Sequence, residues 1–214
     1  MLHLGVLAST RGTDMQAVID AINSKKLNAV ISVVISDKPD AYALERAKQH
    51  NLKAVFIEPK KFVVEVDGQK DREKSREQFD KEVAMVLDEN KVGLILAIGY
   101  MRILSPWFVN KYRNRIMNIH PSLLPAFGGG MDRDVHQEIL DYGCKVTGCT
   151  LHFVDESADS GPIIMQKAVE IAEDETVDTL KPKVQKAEGE LLVKAIDLFG
   201  KGKIKVEGKK VRIV

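Results

Sequence analysis

Two hydrophobic periods alternate along the first seventy residues, and few architectures accept that alternation. Residues 4–8 form a continuous apolar run of strand length, residues 15–22 place apolar side chains three and four apart, and residues 29–36 return to a strand-like run rich in Val and Ile. Residues 42–50 repeat the helical period and residues 53–57 give a further short strand. A strand, a helix and a strand in this order pair in parallel through right-handed crossovers. The expected fold class is therefore α/β, an open, Rossmann-like, mostly parallel sheet flanked by helices.

Downstream, residues 58–82 are dense in both charge signs, with Asp67-Gly68 as a turn signal; they read as a surface excursion leading into a solvated helix face that continues to residue 87. Residues 92–99 are apolar throughout, as expected of a central strand covered on both faces. Strands are expected at 116–119, 146–154 and 163–171, and a helix at 135–140. A long helix opens at Asp174-Glu175-Thr176 and ends at Gly200. The tail KIKVEGKKVRIV reads as a hairpin around Glu207-Gly208. With no internal repeat or low-complexity linker, residues 1–214 are expected to form a single domain, with an N-terminal half of about 1–100 and a C-terminal half of about 101–214.

Composition narrows the partners. The 214 residues are 44% apolar, enough for a proper core, and 29% charged with a net charge of only +1. That balance gives no electrostatic reason to expect nucleic acid or an anionic membrane, so small molecules are the expected partners. No stretch approaches the roughly 18 apolar residues of a spanning helix and no leader pattern opens the chain, which points to the cytoplasm. Cys144 and Cys149 lack a second cysteine pair and read as reduced structural thiols, with no metal expected.

Three places carry chemistry. The first strand runs into STRGTD and then a helix, so free backbone N–H groups at the helix start suit a phosphate, although Thr13 or Asp14 serving as a plain helix cap fits equally. Residues 117–130 read MNIHPSLLPAFGGG at a strand end, the edge where open α/β sheets bind ligands. Pro121 keeps His120 extended and prevents further pairing, and Asn118, two residues back, lies on the same face. An imidazole and a carboxamide there resemble an oxyanion site; satisfying nearby loop carbonyls is the alternative. A carboxylate beside His120 would favour the imidazolium, and residues 152–162 (HFVDESADSGP) offer several acids without spacing that selects one.

The combination of MRILSP at 101–106, NIHPSLLP at 118–125 and DSGPII at 159–164 resembles the phosphoribosylglycinamide formyltransferase family along nearly the whole chain. The resemblance implies formyl transfer from 10-formyltetrahydrofolate, as cosubstrate and without a metal, to the amine of glycinamide ribonucleotide in purine synthesis, by a monomer or homodimer. It implies that Asn118, His120 and Asp159 are the catalytic group, with His152 beside them. Gly12, Thr13 and Asp14 would hold the substrate phosphate, and Gln185, Lys186, Ala187 and Glu188 its ribose end. Arg76, Met101, Arg102, Ile103 and Leu104, together with Asn118, Asp155, Glu156, Ser157, Ala158 and Asp159, would line the folate site.

Three departures from the family pattern stand out. Asp14 takes the place of an amide, and an acid facing a phosphate repels it, so Asp14 is expected to turn into the helix cap, leaving backbone N–H groups and Arg11 for the phosphate. Residues 59–74 are longer than in the relatives compared. The glycine-rich stretch 127–136 is also longer, and three consecutive glycines suggest a mobile loop. Within the wider superfamily, a sugar-nucleotide formyltransferase is the enzymatic alternative; a non-catalytic folate-binding sensor is the alternative of another class.

Overall fold

The computed structural model describes residues 1–129 and 134–214. In chain order the first elements are β1 (Leu2–Leu7), α1 (Thr13–Asn23), β2 (Ala29–Ser36), α2 (Tyr42–Gln49), β3 (Ala54–Phe56), a single 3-10 turn (Pro59–Phe62), β4 (Val64–Val66) and β5 (Gln69–Asp71). There follow α3 (Arg72–Glu89), β6 (Leu94–Ala97), α4 (Pro106–Lys111), β7 (Ile116–His120), α5 (Val135–Asp141), β8 (Val146–Phe153), β9 (Ile163–Glu170), α6 (Val177–Gly200), β10 (Ile204–Glu207) and β11 (Lys210–Ile213). The chain is an α/β protein with an open, mostly parallel sheet, flanking helices, a long C-terminal helix and a terminal hairpin. Two compact units divide it, and their segments interleave: Met1–Gly12 with Ala29–Ile116, and Thr13–Asn28 with Met117–Val214.

In the first unit the strand order is β6-β1-β2-β3, all parallel, as the early alternation predicts. Leu4, Val6, Leu7, Val33, Val34, Leu94, Ile95 and Leu96 are buried, which is why these runs are apolar without a break. The charged excursion contains structure that composition did not reveal. β4 and β5 form a hairpin across Asp67 and Gly68, both at positive φ, the backbone a two-residue turn requires. Phe62 anchors it edge-on against Phe79 of α3, with ring centroids 5.8 Å apart.

In the second unit the pairs β7–β8 and β8–β9 are antiparallel, β9 runs parallel to β11, and β10 and β11 form the tail hairpin. The hairpin turns at Gly208 and Lys209, one residue later than the sequence suggested. Thr176 caps α6, exchanging bonds reciprocally with Thr179. α1 and α6 pack closely, because Gly189 has no side chain: a Cβ there would stand 2.8 Å from that of Ala17. No helix among the described residues is long and apolar enough to cross a membrane.

Candidate active site

Register builds the central group. On the antiparallel pair β7–β8, Asn118 lies opposite His152 and His120 opposite Thr150. His152 is buried at 2% exposure. Its Nδ1 lies 3.0 Å from the Phe153 carbonyl, an acceptor only, so that nitrogen carries the hydrogen. Burial holds its ring below the ordinary imidazole range, against the Phe153 bond and the charge of Asp159, so His152 is neutral. Its Nε2 then has a lone pair to accept from Asn118 Nδ2, 3.1 Å away. The tautomer of His152 therefore fixes which way the Asn118 amide points, and leaves the amide a second N–H to offer.

The same reasoning applies to His120, which is 6% exposed. Its Nε2 donates to the Phe127 carbonyl at 3.0 Å, and its Nδ1 faces Asp159 Oδ2 at 3.5 Å. With Nε2 committed to an acceptor, Nδ1 presents a hydrogen to Asp159 only in the imidazolium. Asp159 Oδ1 lies 3.7 Å from His152 Nε2, so one carboxylate stands beside both rings. The structure thus brings Asn118, His120, Asp159 and His152 together within the second unit.

The loop that carries Asp159 is tied to its surroundings at several points. Gly161 crosses the Phe153 carbonyl so closely that an added Cβ would lie 1.6 Å from the oxygen. Asp155 accepts from Ser160 Oγ at 2.6 Å, Ser157 N at 3.2 Å and Lys209 Nζ at 2.9 Å. Partial burial pushes the Asp155 carboxyl up, but these bonds together hold it below the usual range. Glu156, Ser157 and Ala158 are the exposed tip of the loop. Asp159 adopts φ 51° and accepts from Gly129 N at 2.9 Å. Phe127 and Gly129 therefore bond to His120 and Asp159 respectively. Of the expected glycine-rich stretch 127–136, residues 130–133 lie outside the described residues, and Asp134 to His136 cap and open α5.

Two residues that the sequence did not single out hold the chain after His120. Thr150 Oγ1 donates to Ser122 O at 2.7 Å and accepts from Leu124 N at 2.9 Å, and Gln166 Nε2 reaches both Leu124 O and Thr150 Oγ1 at 2.9 Å. The only available clue was polarity inside two strand-like runs, which does not say whom a side chain meets.

Asp14 departs from the expected cap: its Oδ1 is buried without a hydrogen-bond partner. Burial pushes its carboxyl up to about 6. Glu188, 5% exposed, is pushed well above the usual carboxylate range by burial and by the charge of Asp14, against the charge of Lys181. Gln185 and Glu188 lie three apart on α6 and share a face, while Ala187 enters the core and Lys186 is exposed. Thr13 is exposed at the start of α1.

The first unit holds the remaining predicted residues. Gly12 is buried at φ 59°, and the Arg11 guanidinium lies 5.9 Å from the Tyr42 ring. Residues 101–104 are pinned by two buried acids absent from the sequence reading. Asp37 Oδ1 accepts from Ser9 Oγ at 2.6 Å, Ser9 Oγ accepts from Met101 N at 2.8 Å, and Asp80 accepts from Ser105 N at 2.6 Å. Burial raises Asp80, opposed by Ser105, Arg102 and Arg76. Arg102 lies 4.1 Å over the Phe79 ring with Nε unpartnered, and Met101 and Ile103 are exposed while Leu104 is buried. Among the described residues, no three His, Cys, Asp or Glu side chains are grouped as metal ligands.

Residues 2–196 match the formyl transferase family. The chain is 33% identical over 205 residues to phosphoribosylglycinamide formyltransferase of Escherichia coli K12, covering 96% of this chain and 90% of that one. It is 36% identical over 204 residues to the human trifunctional purine biosynthetic protein adenosine-3, of whose length it spans 19%. It superimposes on the crystal structure of glycinamide ribonucleotide transformylase 1 from Symbiobacterium toebii with a TM-score of 0.89 and 38% identity, covering 100% of this chain and 94% of that one.

Proposed function

Because the chain belongs to the formyl transferase family, and within it to the phosphoribosylglycinamide formyltransferases, we propose that it moves the formyl group of 10-formyltetrahydrofolate onto the amine of 5-phosphoribosylglycinamide, a cytoplasmic step of purine biosynthesis. The donor supplies an electrophilic formyl carbon. As the amine adds to it, negative charge gathers on the formyl oxygen. Asn118 has the second Nδ2 hydrogen to meet that charge, and His120, as imidazolium, has the Nε2 hydrogen that the Phe127 carbonyl accepts in this structure. Asp159 steadies the imidazolium and takes the proton that the amine loses, handing it to the departing nitrogen.

The observation that carries this reading is the pairing of a preset amide N–H with an imidazole facing a carboxylate, on one strand pair and its loop. At the folate, Met101 and Ile103 offer exposed apolar surface on a pinned segment, and Arg102 has an unsatisfied Nε, a set that fits a flat ring with polar edges. Gly12, Thr13 and Asp14 are assigned to the substrate phosphate, and Gln185 and Glu188 to its ribose.

The test is absorbance-monitored turnover of 10-formyltetrahydrofolate with and without glycinamide ribonucleotide. Donor should be consumed only when the amine is present, and His120→Ala and Asp159→Ala should each lose about 10²–10⁴-fold in rate. Consumption that ignores the amine would make the protein a hydrolase. No turnover with either ligand would move the acceptor to another phosphate-bearing amine, such as an amino-sugar nucleotide.

A further inference from the structure

The close crossing of α1 and α6 at Ala17 and Gly189 brings two carboxylic acids near enough that the charge of Asp14 acts on Glu188. Asp14 lies one turn before Ala17 on α1, and Glu188 directly precedes Gly189 on α6. Among the described residues neither carboxyl meets a hydrogen-bond donor: Asp14 Oδ1 is buried and unpartnered, and Glu188, 5% exposed, makes no hydrogen bond. Two acids this close, one of them with a buried oxygen that has no partner, ionise together only at a cost, whereas one proton between them relieves the repulsion.

We propose that Asp14 and Glu188 are a proton-sharing carboxyl pair that takes up a further proton when a sugar phosphate binds, so that protonated Asp14 donates a hydrogen bond where a charged one would repel the phosphate. This rests on the function proposed above and deepens it. The uptake involves one proton from solvent, and no covalent bond changes. A protonated carboxylic acid presents an O–H donor beside a carbonyl acceptor, so like a carboxamide it can donate to a phosphate oxygen, which answers how an acid can stand in the first turn of α1 at a phosphate. The groups facing the pair are consistent with it. Lys181, two turns before Glu188 on α6, is the cation whose charge opposes the upward shift of Glu188. Cys149 of β8 lies close enough that burial, Glu188 and Asp14, against the charge of Lys167, push its thiol up to about 12, so it stays neutral and adds no further negative charge. Burial pushes both acids upward, in the direction the pair requires.

The experiment is calorimetric binding of ribose 5-phosphate and of glycinamide ribonucleotide in buffers of different ionisation enthalpy, from pH 7 to 8.5, where the phosphate itself is already dianionic. Wild type should take up to about one proton more than Asp14→Asn, and its Kd should weaken by up to about tenfold per pH unit relative to that variant. Glu188→Gln should alter the uptake as well, which guards against a fault peculiar to one substitution. Equal uptake and equal pH slopes in wild type and both variants would overturn the pair while leaving the transferase reading intact. Proton-linked binding of ribose 5-phosphate without formyl transfer to glycinamide ribonucleotide would keep the pair and remove the assigned acceptor. Failure of wild type to bind either ligand would remove both.

Discussion

A neutral histidine decides which way the Asn118 amide points. His152 donates from Nδ1 to its neighbour's carbonyl and accepts at Nε2, so it orients the amide without adding charge of its own. Removing the Asn118 donor directly should cost about 10²–10³ in kcat, the usual effect of losing one group that meets an oxyanion. His152→Phe keeps the ring volume but leaves the amide free to rotate. Its expected effect is smaller, about tenfold in kcat, with KM for both substrates nearly unchanged, since what is lost is orientation in the transition state. Steady-state kinetics of His152→Phe beside Asn118→Ala would check this; a KM change at constant kcat would show that His152 serves substrate binding instead.

At the level of elements, the loop between β8 and β9 has the most specific demand, and it falls on Gly161. An added Cβ would meet the Phe153 carbonyl at 1.6 Å, and a backbone atom cannot swing aside as a side chain end can. Gly161→Ala should therefore shift the loop, moving Asp159 away from His120, and destabilise the protein by about 1–3 kcal/mol. The expected signature is a fall in kcat larger than the fall in denaturation midpoint explains, read by activity at a temperature where the variant remains folded. The sequence made this loop visible as acidic and glycine-bearing, but it did not say that the glycine is required by a neighbouring carbonyl. That limit is general in this protein. The periods of β2, α1 and α6 were legible because periodicity is local, and Asn118 and His120 were legible because two residues apart on a strand means one face. Thr150, Gln166, Asp37 and Asp80 were not, because each acts on a segment 25 or more residues away in the chain, or is reached from one. The unpaired state of Asp14 was hidden for the same reason: a helix start offers a cap, and only the approach of α6 shows a second acid in its place.

For the whole molecule, the order of segments matters more than their number. The chain leaves the first unit after Gly12, contributes α1 to the second, returns at Ala29 and crosses again after Ile116. Neither unit is a continuous stretch, so α1 is held at both ends by strands of the unit to which it does not belong. Melting the first unit would release both ends of α1, and with it the helix against which Gly189 packs. We therefore infer that residues 1–214 unfold as one cooperative domain, with a single transition and equal calorimetric and van't Hoff enthalpies. The corresponding fragment experiment is more severe. Residues 117–214 carry Asn118, His120, Asp159 and His152 but lack α1, leaving the Gly189 side of α6 without the helix it packs against. That fragment should show helix content by circular dichroism without a cooperative melt. The same fragment with residues 13–28 joined to it by a flexible linker should regain one. A sharp transition in the unlinked fragment would show that α1 is dispensable to the second unit, and the single-domain inference would fall with it.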